Sequence, residues 1–114
     1  MKETLQDLKT RRSCRKYRPE QIKDEELDAI LEAGTYAPTG MGKQSPVIVV
    51  VQDKETRDYL SKLNAEVMGA DTDPFYGAPT VLIVLADRSR NTYVDDGNLV
   101  IGNLLNAAHA VDVD

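Results

Sequence analysis

Two short apolar runs set the narrowest limits on how this chain can fold. Val47-Ile48-Val49-Val50-Val51 and Thr80-Val81-Leu82-Ile83-Val84-Leu85 are rich in β-branched residues and show no alternation with polar ones. Runs of this kind are typical of strands that are covered on both faces. Residues 54–68 have helical spacing, so the pattern predicts a strand, a helix and a second strand. Their apolar positions are Tyr59, Leu60, Leu63 and Val67.

Two helices are predicted before the first strand. Residues 3–12 form a short amphipathic pattern with Leu5 and Leu8 on one side. Asp24 is a suitable N-cap for a second helix, which should end before Pro38. One face of this second helix is expected to be buried, since its apolar residues recur at helical spacing: Leu27, Ile30, Leu31 and Gly34.

The last predicted helix, from about Thr92 to the end, is apolar around most of its circumference. Such a helix is expected to be fully buried, and in a chain this small it needs a partner surface, so the pattern predicts a homodimer. Two strands alone also make a poor sheet. Either a partner completes the sheet or the sequence is the front part of a longer domain. A narrow polar stripe remains on the helix: Asp95, Asn98, Gly102, Asn106 and His109.

Charge is distributed very unevenly. Seven of the fourteen Lys and Arg residues lie in the first eighteen positions, which carry +5 in a chain of net charge −5. Such a cluster on an acidic protein indicates a small anion bound at one place, and the acidic balance argues against nucleic acid as a partner. The alternative is a solvated helix end, because Lys and Arg also favour helix C-termini. The cluster centres on Arg11-Arg12-Ser13-Cys14-Arg15-Lys16.

Composition limits the remaining classes. With 41% hydrophobic and 29% charged residues, residues 1–114 are expected to form a single globular domain or part of one. No apolar run is long enough to cross a membrane, and no signal-peptide pattern is present. The single cysteine rules out an internal disulfide and predicts a cytoplasmic protein. One Cys and one His without ligand spacing argue against a metal site.

A loop rich in glycine and proline precedes the first strand. Residues 37–46 contain two Gly and two Pro, which is typical of an ordered loop. Its glycines would let the backbone approach a flat ligand, and Gln44 can both donate and accept hydrogen bonds. Gly42-Lys43 is not part of a P-loop, because the spacing and the residue after Lys differ. The alternative is an ordinary connection between a helix and a strand.

Single polar residues admit two interpretations each. His109 is either a hydrogen-bonded residue of a packed helix or a general acid, for which no partner is visible. Cys14 lies among cations that favour a reactive thiolate, but no second cysteine supports redox cycling. Asp95 and Asp96 favour a helix N-terminus. The alternative, a carboxylate dyad, is not favoured, because no other acids lie beside them.

Taken in order, several segments resemble the nitroreductase family of FMN-dependent oxidoreductases. The resemblance implies an α+β fold, with a central sheet flanked by helices, in a homodimer with two FMN sites at the subunit interface. Residues 103–110 look like the family's central dimer helix. The other matching segments are residues 11–17, residues 37–44, Phe75-Tyr76-Gly77-Ala78-Pro79 and Asp96-Gly97-Asn98.

The resemblance also implies the cofactor-binding residues. Those matching the first motif would contact the FMN phosphate, ribityl chain and pyrimidine edge: Arg11, Arg12, Ser13 and Arg15. Those matching the loop would reach the flavin of the other subunit: Pro38, Thr39, Gly40 and Gln44. Asn64 would correspond to the family's polar contact with the pyrimidine ring. Gly42 stands where members often have Asn, and Ser45-Pro46-Val47 lacks the aromatic residue that often follows Gln-Pro.

The implied activity is hydride transfer from NAD(P)H through FMN to nitroaromatic, quinone or similar flat acceptors. The flavin carries this chemistry, so no catalytic side chain is named. Family members continue past the last helix with a further strand, a helix and basic residues, so the chain is C-terminally short by comparison. The alternatives are a non-catalytic flavin-binding module and an inactive truncated remnant.

Overall fold

The protein is described by a computed structural model that covers residues 2–113. Within them the two strands pair side by side in one sheet. Residues 2–13, 22–49 and 84–113 form one compact unit, and residues 14–21 and 50–83 form a second. The mixture of helices and sheet confirms the expected fold class. The elements are α1 (Glu3–Thr10), α2 (Asp24–Thr35), β1 (Val47–Val51), α3 (Lys54–Met68), β2 (Val81–Leu85) and α4 (Tyr93–Ala110).

The element boundaries follow the sequence pattern closely, with a few corrections. α1 ends at Thr10 and not at residue 12, and β2 begins at Val81. Asp24 is the first residue of α2, so its prediction as the N-cap is wrong. Lys23 occupies that position, and its backbone N–H donates to the Glu26 carboxylate at 3.2 Å. The α2 cap is therefore made by a side chain reaching back from the first turn.

The first unit is built on the contact between α2 and α4. The buried residues are Leu27 and Ile30 on α2 and Val100 and Leu104 on α4. At Gly34 the two helices approach so closely that a Cβ would lie 2.6 Å from Leu104 Cδ2. Asn103 adds a hydrogen bond from Nδ2 to the Ala33 carbonyl at 2.9 Å. The apolar face predicted for α2 is confirmed, except that Leu31 is only half-buried.

Within one chain, α4 and β1 are less covered than their sequences predict. Val94, Ile101 and Leu105 lie on α4 with 54%, 40% and 50% of their surface exposed. On β1, Val47 and Val49 are also exposed. Burial of α4 on all sides, and of β1 on both faces, is therefore not achieved by the described residues of a single chain. Exposed apolar residues of this kind are suited to association with a partner.

α3 of the second unit buries a face that is mostly polar. Arg57, Ser61 and Ala65 are the buried residues, while the predicted apolar positions include three that are exposed. Hydrogen bonds and an ion pair hold this polar face inward. The exposed members are Tyr59, Leu63 and Val67, and Leu60 is half-buried.

Over residues 2–113, no helix has both the length and the apolar character that crossing a membrane requires.

Replacing Gly34 with Ala should destabilise the first unit. The added methyl group would meet Leu104 Cδ2 at 2.6 Å and Ile48 Cδ1 at 2.9 Å, inside a packed contact. Overpacking of this kind costs about 1–3 kcal/mol, which urea unfolding followed by circular dichroism would measure. Gly102→Ala is the matched control, since a Cβ there meets no atom within 4 Å. Equal unfolding free energies for the two variants would contradict the close approach at Gly34.

Candidate functional site

The basic cluster of residues 11–16, called the basic segment below, begins where α1 ends. Arg11 is the C-cap residue, and Nη1 of Arg12 donates to the carbonyls of Lys9 and Arg11 at 2.8 Å each. Arg12 thus satisfies carbonyl groups at the end of a helix, as the alternative interpretation of the cluster expects. Its guanidinium is turned back onto its own chain.

Arg11 and Arg15 keep their guanidinium groups available. Among residues 2–113, neither side chain forms an ion pair or a hydrogen bond. Arg11 is half-buried and belongs to the first unit with Arg12 and Ser13. Arg15 and Ser13 are exposed, and Arg15 belongs to the second unit. A planar guanidinium with unused donors is well suited to binding a phosphate or a polar ring edge.

His109 fixes the end of α1 immediately before the basic segment. Its Nε2 lies 2.8 Å from the Thr10 hydroxyl oxygen. The Thr10 hydroxyl itself donates to the Gln6 carbonyl at 2.8 Å, so His109 Nε2 is the donor to Thr10. This supports the interpretation of His109 as a hydrogen-bonded structural residue. Cys14 is likewise engaged, with its thiol donating to the Lys16 carbonyl at 3.2 Å.

The loop before β1 has an unusual backbone. A 3-10 turn at Gly40–Gly42 is followed by the C-cap Lys43, and three residues adopt positive φ: Met41 at 55°, Gly42 at 66° and Gln44 at 49°. A left-handed conformation costs a non-glycine residue about 1–3 kcal/mol and is concentrated at functional sites. The loop is therefore an ordered and strained segment, and more than a passive connection.

Two interactions inside the loop hold Gln44 in place. Its backbone N–H donates to the Thr39 hydroxyl oxygen at 2.9 Å, and its Nε2 donates to the Thr35 carbonyl at 3.3 Å. The Thr39 hydroxyl proton and the Gln44 Oε1 atom remain available to a ligand. The Gly40 N–H is already used by another residue, so Gly40 can serve a ligand only by close approach of its backbone.

The partner of Gly40 is Asp96, at the start of α4. Oδ1 of Asp96 accepts the Gly40 N–H at 2.9 Å, and Oδ2 accepts the Thr92 hydroxyl at 2.8 Å. The residue is only 3% exposed. Asp95 is exposed, so the two adjacent carboxylates, for which the sequence predicted the same role, have different surroundings. The i, i+4 spacing of Thr92 and Asp96 was the signal in the sequence that could have predicted this contact.

A second polar cluster organises the second unit around Asp73. Its carboxylate pairs with the Arg57 guanidinium and accepts the Ser61 hydroxyl at 2.7 Å. It also accepts the backbone N–H groups of Phe75 at 3.0 Å and Gly77 at 2.8 Å. Desolvation raises the pKa of Asp73, but these hydrogen bonds outweigh it and hold the pKa well below 3.8.

Arg57 extends this cluster. Its Nε donates to the Ala78 carbonyl at 2.8 Å, and its guanidinium carbon lies 5.5 Å from the centre of the Phe75 ring. Together Arg57 and Asp73 fix the turn that contains Phe75-Tyr76-Gly77-Ala78-Pro79 before β2. The turn was predicted from the sequence, whereas the Arg57–Asp73 pair was not. An Asp two residues before such a turn was a usable signal, whereas an Arg within a helix was not.

The predicted site residues are divided between the two units. The larger group lies in the first: Arg11, Arg12, Ser13, Pro38, Thr39, Gly40 and Gln44. Arg15 and Asn64 lie in the second. Asn64 is exposed on α3, and Pro38 is exposed at the start of the loop. All nine assignments to a cofactor stay predictions.

Comparisons with known proteins agree with the fold. The model of the Nitroreductase family matches residues 8–74, more than half of the chain. A Bacillus subtilis (strain 168) protein named FMN reductase (NAD(P)H) is 34% identical over 90 residues, covering 79% of this chain and 34% of its own length. The chain therefore belongs to the nitroreductase family.

Solved structures support the same assignment. A nitroreductase with bound FMN from Bacteroides fragilis NCTC 9343 superposes with a TM-score of 0.84 at 31% identity, over 97% of this chain and 66% of that one. An FMN-dependent nitroreductase from Clostridium difficile R20291 gives 0.83 at 35% identity, over 96% and 56%. The chain spans between 34% and 65% of the length of the curated relatives that it matches.

Replacing Asp73 with Asn should destabilise the protein in a pH-dependent way. The variant removes one of the two carboxylates that pair with the Arg57 guanidinium, which is only 9% exposed, and leaves Asp58 at 3.2 Å, at a cost of about 1–3 kcal/mol near neutral pH. Because the folded pKa of Asp73 is lowered, its contribution is complete above the unfolded pKa and shrinks as the pH falls below it. The difference in unfolding free energy between wild type and variant should therefore narrow from about pH 5 downward.

Urea unfolding at a series of pH values would measure this difference. Asp71→Asn is the matched control, because Asp71 is an exposed neighbouring acid. A gap between wild type and Asp73→Asn that stayed constant down to pH 2.5 would contradict the charged pairing.

Proposed function

We propose that this chain is the flavin-binding portion of an FMN-dependent oxidoreductase of the cytoplasm. It would transfer hydride from NAD(P)H to nitroaromatic, quinone or similar flat acceptors. The observation that carries the proposal is the superposition of 97% of the chain, with a TM-score of 0.84, on a nitroreductase with bound FMN. The enzyme named FMN reductase (NAD(P)H) supports the choice of electron donor.

The donor groups of the chain fit the chemistry of FMN. FMN combines a dianionic phosphate with a flat ring that has polar edges. Arg11 and Arg15 offer unpaired guanidinium groups for an anion, and Thr39 and Gln44 offer a hydroxyl proton and an amide oxygen for polar atoms. When bound, FMN supplies the hydride chemistry, which these side chains need not perform.

The residues of the chain would bind and orient. The basic segment would neutralise the phosphate, and the strained loop would present its backbone to the ring. Asn64 would contribute a polar contact from α3. No side chain is assigned a proton-transfer role. A non-catalytic flavin-binding module is the second candidate, favoured by donor groups that can hold a flavin without performing chemistry themselves.

We further propose that residues 1–114 act as one domain within a homodimer. The apolar side chains of Val94, Ile101 and Leu105 are exposed on one side of α4. Burying such a surface between two copies would gain about 25 cal/mol per Å² of apolar area removed from water. The partner would cover the circumference of α4 that one chain leaves open.

A visible spectrum taken before and after NADH tests the proposed function. The purified chain is mixed with FMN, desalted and examined anaerobically. We expect a retained yellow flavin that bleaches with NADH or, failing that, with NADPH. Retained flavin that neither nucleotide bleaches would favour the binding module, and a colourless protein would refute both candidates.

Replacing Arg15 with Ala should weaken FMN binding by tenfold to a hundredfold. The lost charge-assisted hydrogen bonds contribute about 1.5–3 kcal/mol, which corresponds to such a change in Kd. Quenching of FMN fluorescence on binding would give the Kd. Arg18→Ala is the matched control, since Arg18 is an exposed cation of the same segment outside the motif. Equal Kd values for the two variants would exclude Arg15 from the site.

Replacing Leu105 with Glu should convert the dimer into monomers. A carboxylate in an apolar interface would lose its hydration without gaining a partner. Sedimentation velocity would report the mass. Val67→Glu is the matched control, because Val67 is 87% exposed on α3 and should leave the dimer intact. Dissociation by the Val67 variant alone would place the interface elsewhere.

A further inference from the structure

The Asp96 carboxylate is an unusual feature of the first unit. It is almost wholly buried, yet among residues 2–113 no Lys or Arg pairs with it. Its two oxygens are instead divided between two hydrogen bonds, one to the Gly40 N–H and one to the Thr92 hydroxyl. A charged group is expensive to bury, so these two contacts are expected to be strong and well ordered.

The hydrogen bond from Gly40 to Asp96 fixes the strained loop. The Gly40 N–H lies at the first residue of the 3-10 turn, immediately before the left-handed residues Met41 and Gly42. A strained backbone persists only when its surroundings determine it. Thr39 fixes the far end of the loop through the Gln44 N–H at 2.9 Å, and Asp96 fixes the near end at 2.9 Å.

The loop also lies unusually close to the start of α4. A Cβ built on Gly40 would lie 2.3 Å from the Thr92 hydroxyl oxygen and 3.0 Å from Thr92 Cγ2. Only glycine permits this spacing. Asp96 and Thr92 therefore set both the hydrogen bonding and the distance between the loop and the helix.

We infer that Asp96 is a positioning residue of the flavin site: its buried carboxylate holds the Thr39–Gln44 loop in the conformation that binds FMN. The inference rests on the proposed function. Asp96 does not itself contact the ligand. It acts through Gly40, so that the loop is already ordered before the flavin binds. The entropic cost of binding is therefore smaller, and the affinity for FMN is higher.

Two substitutions at Asp96 test the inference. Asp96→Ala removes both acceptors, and we expect the FMN Kd to rise at least tenfold at a temperature where the variant is fully folded. Asp96→Asn keeps a carbonyl oxygen for the Gly40 N–H and should restore the Kd to within about threefold of wild type. Asp95→Asn, in the same helical turn, is the matched control and should leave the Kd unchanged. Thermal unfolding of each variant separates affinity from stability.

A second pair of substitutions tests the inference if the Asp96→Ala variant does not fold. Gly40→Ala should weaken FMN binding, because its methyl group meets the Thr92 side chain. Thr92→Ala removes the atoms that it meets. The fold-increase in the FMN Kd of the double variant should therefore be smaller than the product of the fold-increases of the two single variants. Purely multiplicative effects would overturn the inference.

The outcomes distinguish the inference from the proposed function. A wild-type chain that binds no FMN refutes the proposed function, and the inference with it. A wild-type chain that binds FMN, beside a folded Asp96→Ala variant with the same Kd and the same flavin absorption spectrum, refutes the inference alone. A raised Kd for Asp96→Ala that Asn restores establishes the positioning role.

Discussion

The contact between α2 and α4 at Gly34 determines where the loop after α2 can run. The helices pack so closely there that a Cβ on Gly34 would lie 2.6 Å from Leu104 Cδ2, and the last turn of α2 is thereby held against α4. At the start of α4 the Asp96 carboxylate takes the Gly40 N–H and holds a backbone that would otherwise relax. The strained loop is therefore a consequence of helix packing, followed by one buried hydrogen bond.

In the second unit an ion pair prevails over the hydrophobic pattern. α3 turns Arg57 and Ser61 inward because Asp73 offers a carboxylate that also binds two backbone N–H groups. A buried guanidinium without that carboxylate would be more costly than leaving Tyr59 and Val67 in water. The result is a well-determined turn before β2 and an apolar stripe that one chain does not cover.

Much of the fold was predictable, because apolar spacing reports secondary structure directly. α3 was predicted at its observed bounds, and both strands were placed to within one residue. The cap of α2 was not predictable from Asp24, since an acidic first turn offers several equivalent caps and backbone geometry selects among them. Of the candidate site, the basic segment and the loop were recognised from residue type. The hydrogen bonds that join α4 to the loop and to the end of α1 were not predicted, because each connects residues far apart in the sequence.

The sequence by itself determined the elements, their order and the family, since these depend on local spacing and on short motifs. Only the tertiary structure decided which of two adjacent acids is buried and which face of α3 turns inward. Those choices depend on partners brought close by folding. The free energy of a buried polar group is set by whether a partner lies at hydrogen-bonding distance, which no local pattern encodes.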